Sequence, residues 1–147
     1  MQIRVTKEFC FEMAHALYGY DGPCKNIHGH SYELQVTVIG LPNADSANVK
    51  FGMVIDFTDL KKIVKEQIVD VMDHALVLNG NSPHRKLENL NESFEKIIFV
   101  EYQPTCENML IDFKNRIIGL LPSYAKLHCM SLRETANSYA EWYSTDN

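Results

Sequence analysis

The strongest constraint on the fold is a two-residue alternation near the start of the chain. Ile3, Val5, Phe9, Phe11 and Met13 are apolar, whereas Arg4, Thr6, Glu8 and Glu12 between them are polar. That period belongs to a strand with one buried face, because successive side chains of an extended chain point to opposite sides. After a connection bearing Gly and Pro, YGYDGPCKNI, the alternation resumes with Tyr32, Leu34, Val36 and Val38 against Glu33, Gln35 and Thr37. His15 continues the apolar parity of the first run, and His28 and His30 that of the second. Antiparallel pairing of the two strands therefore places three imidazoles on one face, near one end of a sheet.

Gly40, Pro42 and Asn43 open a loop that runs through Asn48, after which the period changes. Phe57, Leu60, Ile63, Val64, Ile68 and Val71 recur every three or four residues, the mark of an amphipathic helix, with Asp56 as its cap. Residues 79–91 are polar, contain Gly80 and Pro83, and are expected to form a surface loop. Lys96–Tyr102 is a short strand candidate. Pro104 and Thr105 start a second helix with Met109, Leu110, Phe113 and Ile117 as its stripe, ended by Gly119 and Pro122. Tyr124–Thr135 and Ser138–Tyr143 are expected to close the chain as a hairpin around Ala136–Asn137, although the first alternates poorly. No repeat, low-complexity tract or linker interrupts the 147 residues. The expectation is one α+β domain over 1–147, in the order ββααββ, with two helices packed on a four-stranded antiparallel sheet.

Composition narrows the functional classes. The net charge is −5, with 14 basic residues scattered along the chain, so the basic footprint of a nucleic-acid binder is missing. No run approaches the ~20 apolar residues of a membrane span, and MQIRVTKEFC lacks the apolar core of a secretory leader. The four cysteines, Cys10, Cys24, Cys106 and Cys129, are widely spaced with no C-x-x-C pair, which points to reduced thiols and a cytoplasmic setting. Cys10, Cys106 and Cys129 lie inside expected elements and read as small buried hydrophobes.

The chemistry concentrates in Cys24-x-x-x-His28-Gly-His30 together with His15. Two histidines one residue apart on a strand point the same way at ~7 Å spacing, given ~3.3 Å per residue. A third from the neighbouring strand closes a three-nitrogen site with a fourth position open, the usual form of a catalytic zinc centre. Neutral imidazoles suit zinc; iron, cobalt and nickel take them as well. Cys24, in the irregular connection, is placed either to reach a substrate held at the metal or to serve as a fourth, sulfur ligand of a closed structural site. Asp73-His74 has the composition of a proton relay, while a histidine at a helix C-terminus is also favoured by the helix dipole. Glu134 ends a strand, and Thr105 and Glu107 open the second helix, where an acid is favoured by the dipole alone. H-E-x-x-H, a phosphate-cradling glycine loop and G-x-S-x-G are all missing, so the common zinc proteases, nucleotide-binding P-loops and serine hydrolases are excluded.

Taken together, Phe11-x-x-Ala14-His15, Cys24-x-x-x-His28-Gly-His30-Ser31-Tyr32, Val54-x-Asp56-Phe57, Leu60-Lys61, Asp73-His74, Pro104-Thr105-x-Glu107-Asn108 and Glu134-Thr135 resemble the 6-pyruvoyl-tetrahydropterin synthase family from residue 1 to about 143. The three-residue gap after Cys24 is similar to the bacterial 6-carboxy-5,6,7,8-tetrahydropterin synthase branch, of queuosine (7-deazaguanine) biosynthesis. The chain departs from the family in the length of the 79–91 loop and in Cys106, which stands where a small residue is common. The resemblance implies a zinc-dependent lyase of the T-fold, built as a barrel-forming homohexamer of two trimers with sites between subunits. It implies zinc on His15, His28 and His30, a catalytic Cys24, Asp73 and His74 as its relay from a neighbouring chain, and Glu134 as the pterin anchor, with Thr105 and Glu107 beside it. The implied substrate is 7,8-dihydroneopterin triphosphate, and the products 6-carboxytetrahydropterin, acetaldehyde and triphosphate; Lys25, Arg85 and Lys86, near the motif residues in sequence, are candidate cations for the phosphates. The alternatives are the pyruvoyl-forming activity and a non-catalytic module stabilised by a His3Cys zinc site.

Overall fold

A computed structural model describes all residues, 1–147. The two alternating runs form long strands, β1 (Ile3–His15) and β2 (His28–Gly40), paired antiparallel in one unbroken register from Ile3 opposite Gly40 to His15 opposite His28. Phe9, Phe11, Met13 and His15 share their buried face with Tyr32, Leu34, Val36 and Val38. The opposite face carries Thr6, Glu8, Glu12, Glu33 and Gln35 and is open to solvent.

The first helical stretch comprises α1 (Phe57–Val64), a π-type turn over Lys65–Val69, and α2 (Asp70–Met72). Asp56 caps it through a 2.8 Å hydrogen bond that Oδ1 accepts from the Thr58 amide. Leu60, Val64, Ile68 and Met72, four residues apart, are all fully buried. The wider π turn offsets the drift that such spacing accumulates in a helix of 3.6 residues per turn. The chain continues into β3 (Ala75–Asn79), a 3-10 turn (Pro83–Lys86), the short α3 (Leu90–Ser93), β4 (Ile97–Val100), α4 (Cys106–Ile117), and the hairpin β5 (Ala125–Thr135) and β6 (Ser138–Tyr143). Thr105 caps α4 by accepting from the Asn108 amide at 3.3 Å. The helices cover the apolar face of the sheet with Met109, Leu110, Phe113 and Ile117.

The expected four-stranded antiparallel sheet is corrected to a six-stranded mixed sheet, ordered β4-β3-β1-β2-β5-β6, in which β3 lies parallel to β1 and β4 parallel to β3. The added strand β3 reads ALVLN, a continuous apolar run, because it is covered on both faces. Val77 and Ala75 enter the main core, while Leu76 and Leu78 join Ala16 in a second cluster under Leu90, Ile97 and Phe99. The 79–91 segment is thus not only a loop; with α3 it roofs that second cluster. Poor alternation in β5 has a local cause, since its register against β2 slips between Thr37 opposite Cys129 and Val38 opposite Leu127. Cys10 is also corrected: it lies on the solvent face of β1 and is exposed, because it falls on the polar parity, whereas Cys106 and Cys129 are half-buried. No helix is long and apolar enough to cross a membrane.

Candidate metal centre and adjoining pocket

The β1–β2 register brings His15 opposite His28 and Met13 opposite His30, so the three rings converge at the end of the hairpin that the 16–27 connection closes. One nitrogen from each lies within 4.8 Å of the others. His15 is buried, 2% exposed, and its Nδ1–H donates to the Pro104 carbonyl at 2.7 Å. His28 Nδ1–H donates to the Asn26 carbonyl at 2.8 Å. A carbonyl only accepts, so both tautomers are fixed with lone pairs on Nε2, and the two Nε2 atoms stand 3.1 Å apart. His30 Nε2 is buried without a hydrogen-bond partner. Facing lone pairs and an orphaned buried nitrogen are what a cation between the rings would satisfy, so the residues present fit a bound metal. Burial holds His15 and His30 below the ordinary histidine pKa, favouring the neutral form that ligates. The Cys24 thiol is not among the mutually close ligand atoms.

Glu134 reaches this centre from the end of β5. Its Oε1 lies 3.6 Å from His15 Nε2 and 3.9 Å from His30 Nε2, and accepts the Tyr32 hydroxyl at 2.9 Å. None of these contacts involves Oε2. Burial first, and then the Glu134 carboxylate, push the Tyr32 phenol far up, so Tyr32 remains a donor. A cavity of about 270 Å³ beside them is lined by His15, Cys24, Thr105, Cys106, Glu107 and Glu134, and by Ser138–Ala140 of β6. Six residues scattered along the chain thereby meet in one concavity. Burial, and then Glu134, raise the Cys106 thiol to about 11, and it donates to the Leu132 carbonyl at 3.2 Å.

Asp73 and His74 lie elsewhere. His74 Nδ1–H donates to Asp73 Oδ2 at 3.0 Å, His74 adopts φ 59°, and its imidazole borders a separate depression of about 900 Å³ with Glu12, His30, Ser31 and Lys96. Within one chain the pair does not line the Cys24 cavity. Lys25, Arg85 and Lys86 do not line it either; Arg85 stacks on Phe99, 4.9 Å from the ring centroid. Tyr32 and the Pro104 carbonyl are parts of the site that the sequence motifs do not single out. The first has a signal, since Tyr32 shares the parity of His28 and His30; a backbone carbonyl has none.

An α+β sheet with a converging histidine trio and an acidic pocket beside it defines a metal-ready small-molecule site. The family model for 6-pyruvoyl tetrahydropterin synthase matches residues 4–145, and the chain belongs to that family. Among its relatives, the 6-carboxy-5,6,7,8-tetrahydropterin synthase of Haemophilus influenzae is 38% identical over 146 residues, covering 95% of this chain and 97% of the relative. The protein of the same name from Rickettsia typhi is 32% identical, covering 95% and 99%. The fold is also that of Caenorhabditis elegans 6-pyruvoyl tetrahydropterin synthase, with a TM-score of 0.70 at 22% identity, over 98% of this chain and 96% of that one.

Proposed function

We propose that the protein is a zinc-dependent 6-carboxy-5,6,7,8-tetrahydropterin synthase, acting in the cytoplasm on 7,8-dihydroneopterin triphosphate in queuosine biosynthesis. The observation that carries this reading is the joining of the Cys24, Glu134, Thr105 and Glu107 pocket to the His15, His28 and His30 trio. The relatives named for that activity support the carboxy product. The reaction balances with one water: the first side-chain carbon stays on the ring as carboxylate, the other two leave as acetaldehyde, and the ring is reduced as the side chain is oxidised.

His15, His28 and His30 would hold zinc through their Nε2 atoms. Bound there, zinc supplies a Lewis acid for the side-chain oxygens of the substrate. Glu134, with Oε2 unclaimed, accepts the adjacent N–H donors of the pterin edge in a charge-assisted pair that fixes the ring. Thr105 and Glu107 line the same pocket and complete the binding edge. Cys24 moves protons on the side chain. Asp73 fixes His74 with Nδ1 protonated, leaving Nε2 to exchange a proton with Cys24 of another copy. Catalysis is distinguished from a closed His3Cys module by Cys24→Ala. The variant is expected to keep one zinc per chain and lose turnover by ~10²–10⁴, the range for a positioned acid or base. Loss of zinc with the thiol would favour the module, and near-normal turnover would remove Cys24 from the chemistry.

A further inference from the structure

Lys96 has no part in the reading above, yet its side chain ends on the backbone that carries the Asp73–His74 pair. It stands immediately before β4, half-buried, and its own carbonyl accepts the Leu76 amide at 2.9 Å. From that anchored position Nζ donates to the carbonyls of Asp70 at 2.9 Å and Asp73 at 2.7 Å. Those carbonyls belong to the end of the first helical stretch, where groups lack intrahelical partners and the dipole favours a cation. The turn beyond is demanding. His74, not glycine, takes φ 59°, a sparsely populated region for a side-chain-bearing residue. Two further ties hold it to β1: the Asp73 carboxylate accepts the Glu12 amide at 2.9 Å, and the His74 amide donates to the Glu12 carbonyl.

Resting on the proposed role of Asp73 and His74, we propose that Lys96 is a positioning residue. It clamps the Asp73 carbonyl so that the left-handed turn presents the His74 imidazole in one orientation. The ammonium acts through the backbone and touches neither carboxylate nor substrate. Its reach is structural: β3 and β4 carry the lysine, the helix end receives it, and the relay lies between them. The ionisable groups sharing the depression with His74 are Glu12 and His30 from β1 and β2, and Glu95 beside the lysine itself, while the Asp70 carboxylate pairs with Lys65 at 3.2 Å. Lys96 adds a cation to this set, and after the Glu12 amide and the His74 imidazole its field also favours ionised Asp73.

The test uses the zinc-loaded, assembled enzyme and the variants Lys96→Met, Lys96→Arg and His74→Ala. Lys96→Met keeps most of the length of the side chain and removes its donors. It is expected to retain zinc and native circular dichroism and to lower kcat up to ~10²-fold with KM within about twofold, as for a misplaced catalytic group. Lys96→Arg, which can still donate to both carbonyls, is expected to recover most of kcat. Combined with His74→Ala, Lys96→Met is expected to cost nothing further, because its effect passes through the missing imidazole. Hydrogen exchange of the peptide spanning residues 70–78 is expected to accelerate in Lys96→Met, chiefly at the His74 amide, and not in Lys96→Arg. Unchanged exchange overturns the clamp, and so do losses that multiply in the double variant. Full activity of His74→Ala would refute the relay instead, and the exchange measurement alone then decides whether Lys96 holds the turn.

Discussion

Two side chains of the pocket have opposite hydrogen-bonding roles: Glu134 accepts and Cys106 donates. Glu134 joins Glu107 as a carboxylate acceptor in the pocket wall, and the Tyr32 hydroxyl donates to Glu134. Glu134→Gln replaces one acceptor oxygen with an NH2 that opposes the pterin donors. Affinity for a product-like pterin is expected to weaken by about 1.5–3 kcal/mol, measured by calorimetry, the range for a hydrogen bond to a charged group. Equal affinity would remove Glu134 from the pterin edge. Cys106, raised to about 11, is the inert thiol of this pocket and remains a neutral donor to Leu132 at working pH. Iodoacetamide at pH 8 is therefore expected to label exposed Cys10 well before Cys106, because the thiolate is the nucleophile. Peptide mapping that finds Cys106 labelled at the rate of Cys10 would contradict the buried placement.

At the scale of elements, the strands and helices that alternate or recur cleanly are legible from the residues, and those covered on both faces are not. β1, β2, the capped first helix, α4 and the closing hairpin follow from period and caps, and the convergence of His15, His28 and His30 follows from parity alone. β3 escapes because Ala75–Leu78 is buried on both sides, so it carries no period to separate it from the end of a helix. The contact of Glu134 with the histidine trio is equally hidden, since it depends on β5 crossing to β2 about a hundred residues later. The sheet and helices meet in one layer where Phe113, fully buried, packs edge-on against Phe11 at 6.1 Å. Phe113→Ala is expected to cost about 3–5 kcal/mol in urea unfolding. A cost under ~1 kcal/mol would show that α4 is not seated there. The Asp73 turn adds a pH dependence. The Glu12 amide, chiefly, holds the Asp73 carboxyl below its ordinary value. Its contribution is therefore complete above the ordinary pKa near ~4 and is lost as pH falls through the depressed native value. Asp73→Asn is expected to flatten the acid limb of stability between about pH 5 and 2, read by thermal unfolding; an unchanged limb would contradict the bond.

As a whole molecule, a single chain has its candidate relay and its candidate thiol in different depressions, and it ends its sheet on two free edges, β4 and β6. Free edges pair with further strands, and rotational closure satisfies them without open-ended growth. The proposed assembly is a homohexamer of two trimers in which Cys24 of one copy meets Asp73 and His74 of the next. Mixing Cys24→Ala with His74→Ala under subunit exchange is then expected to restore activity at about one site in four. No recovery despite verified exchange would place the whole site in one chain. Beneath the assembly and the roles of single residues stands the claim about what the protein makes, and mass spectrometry of the products from 7,8-dihydroneopterin triphosphate tests it most directly. Zinc-loaded protein is expected to yield 6-carboxytetrahydropterin with acetaldehyde and triphosphate in equal amounts; a pyruvoyl product without acetaldehyde, or unconsumed substrate, would contradict the account.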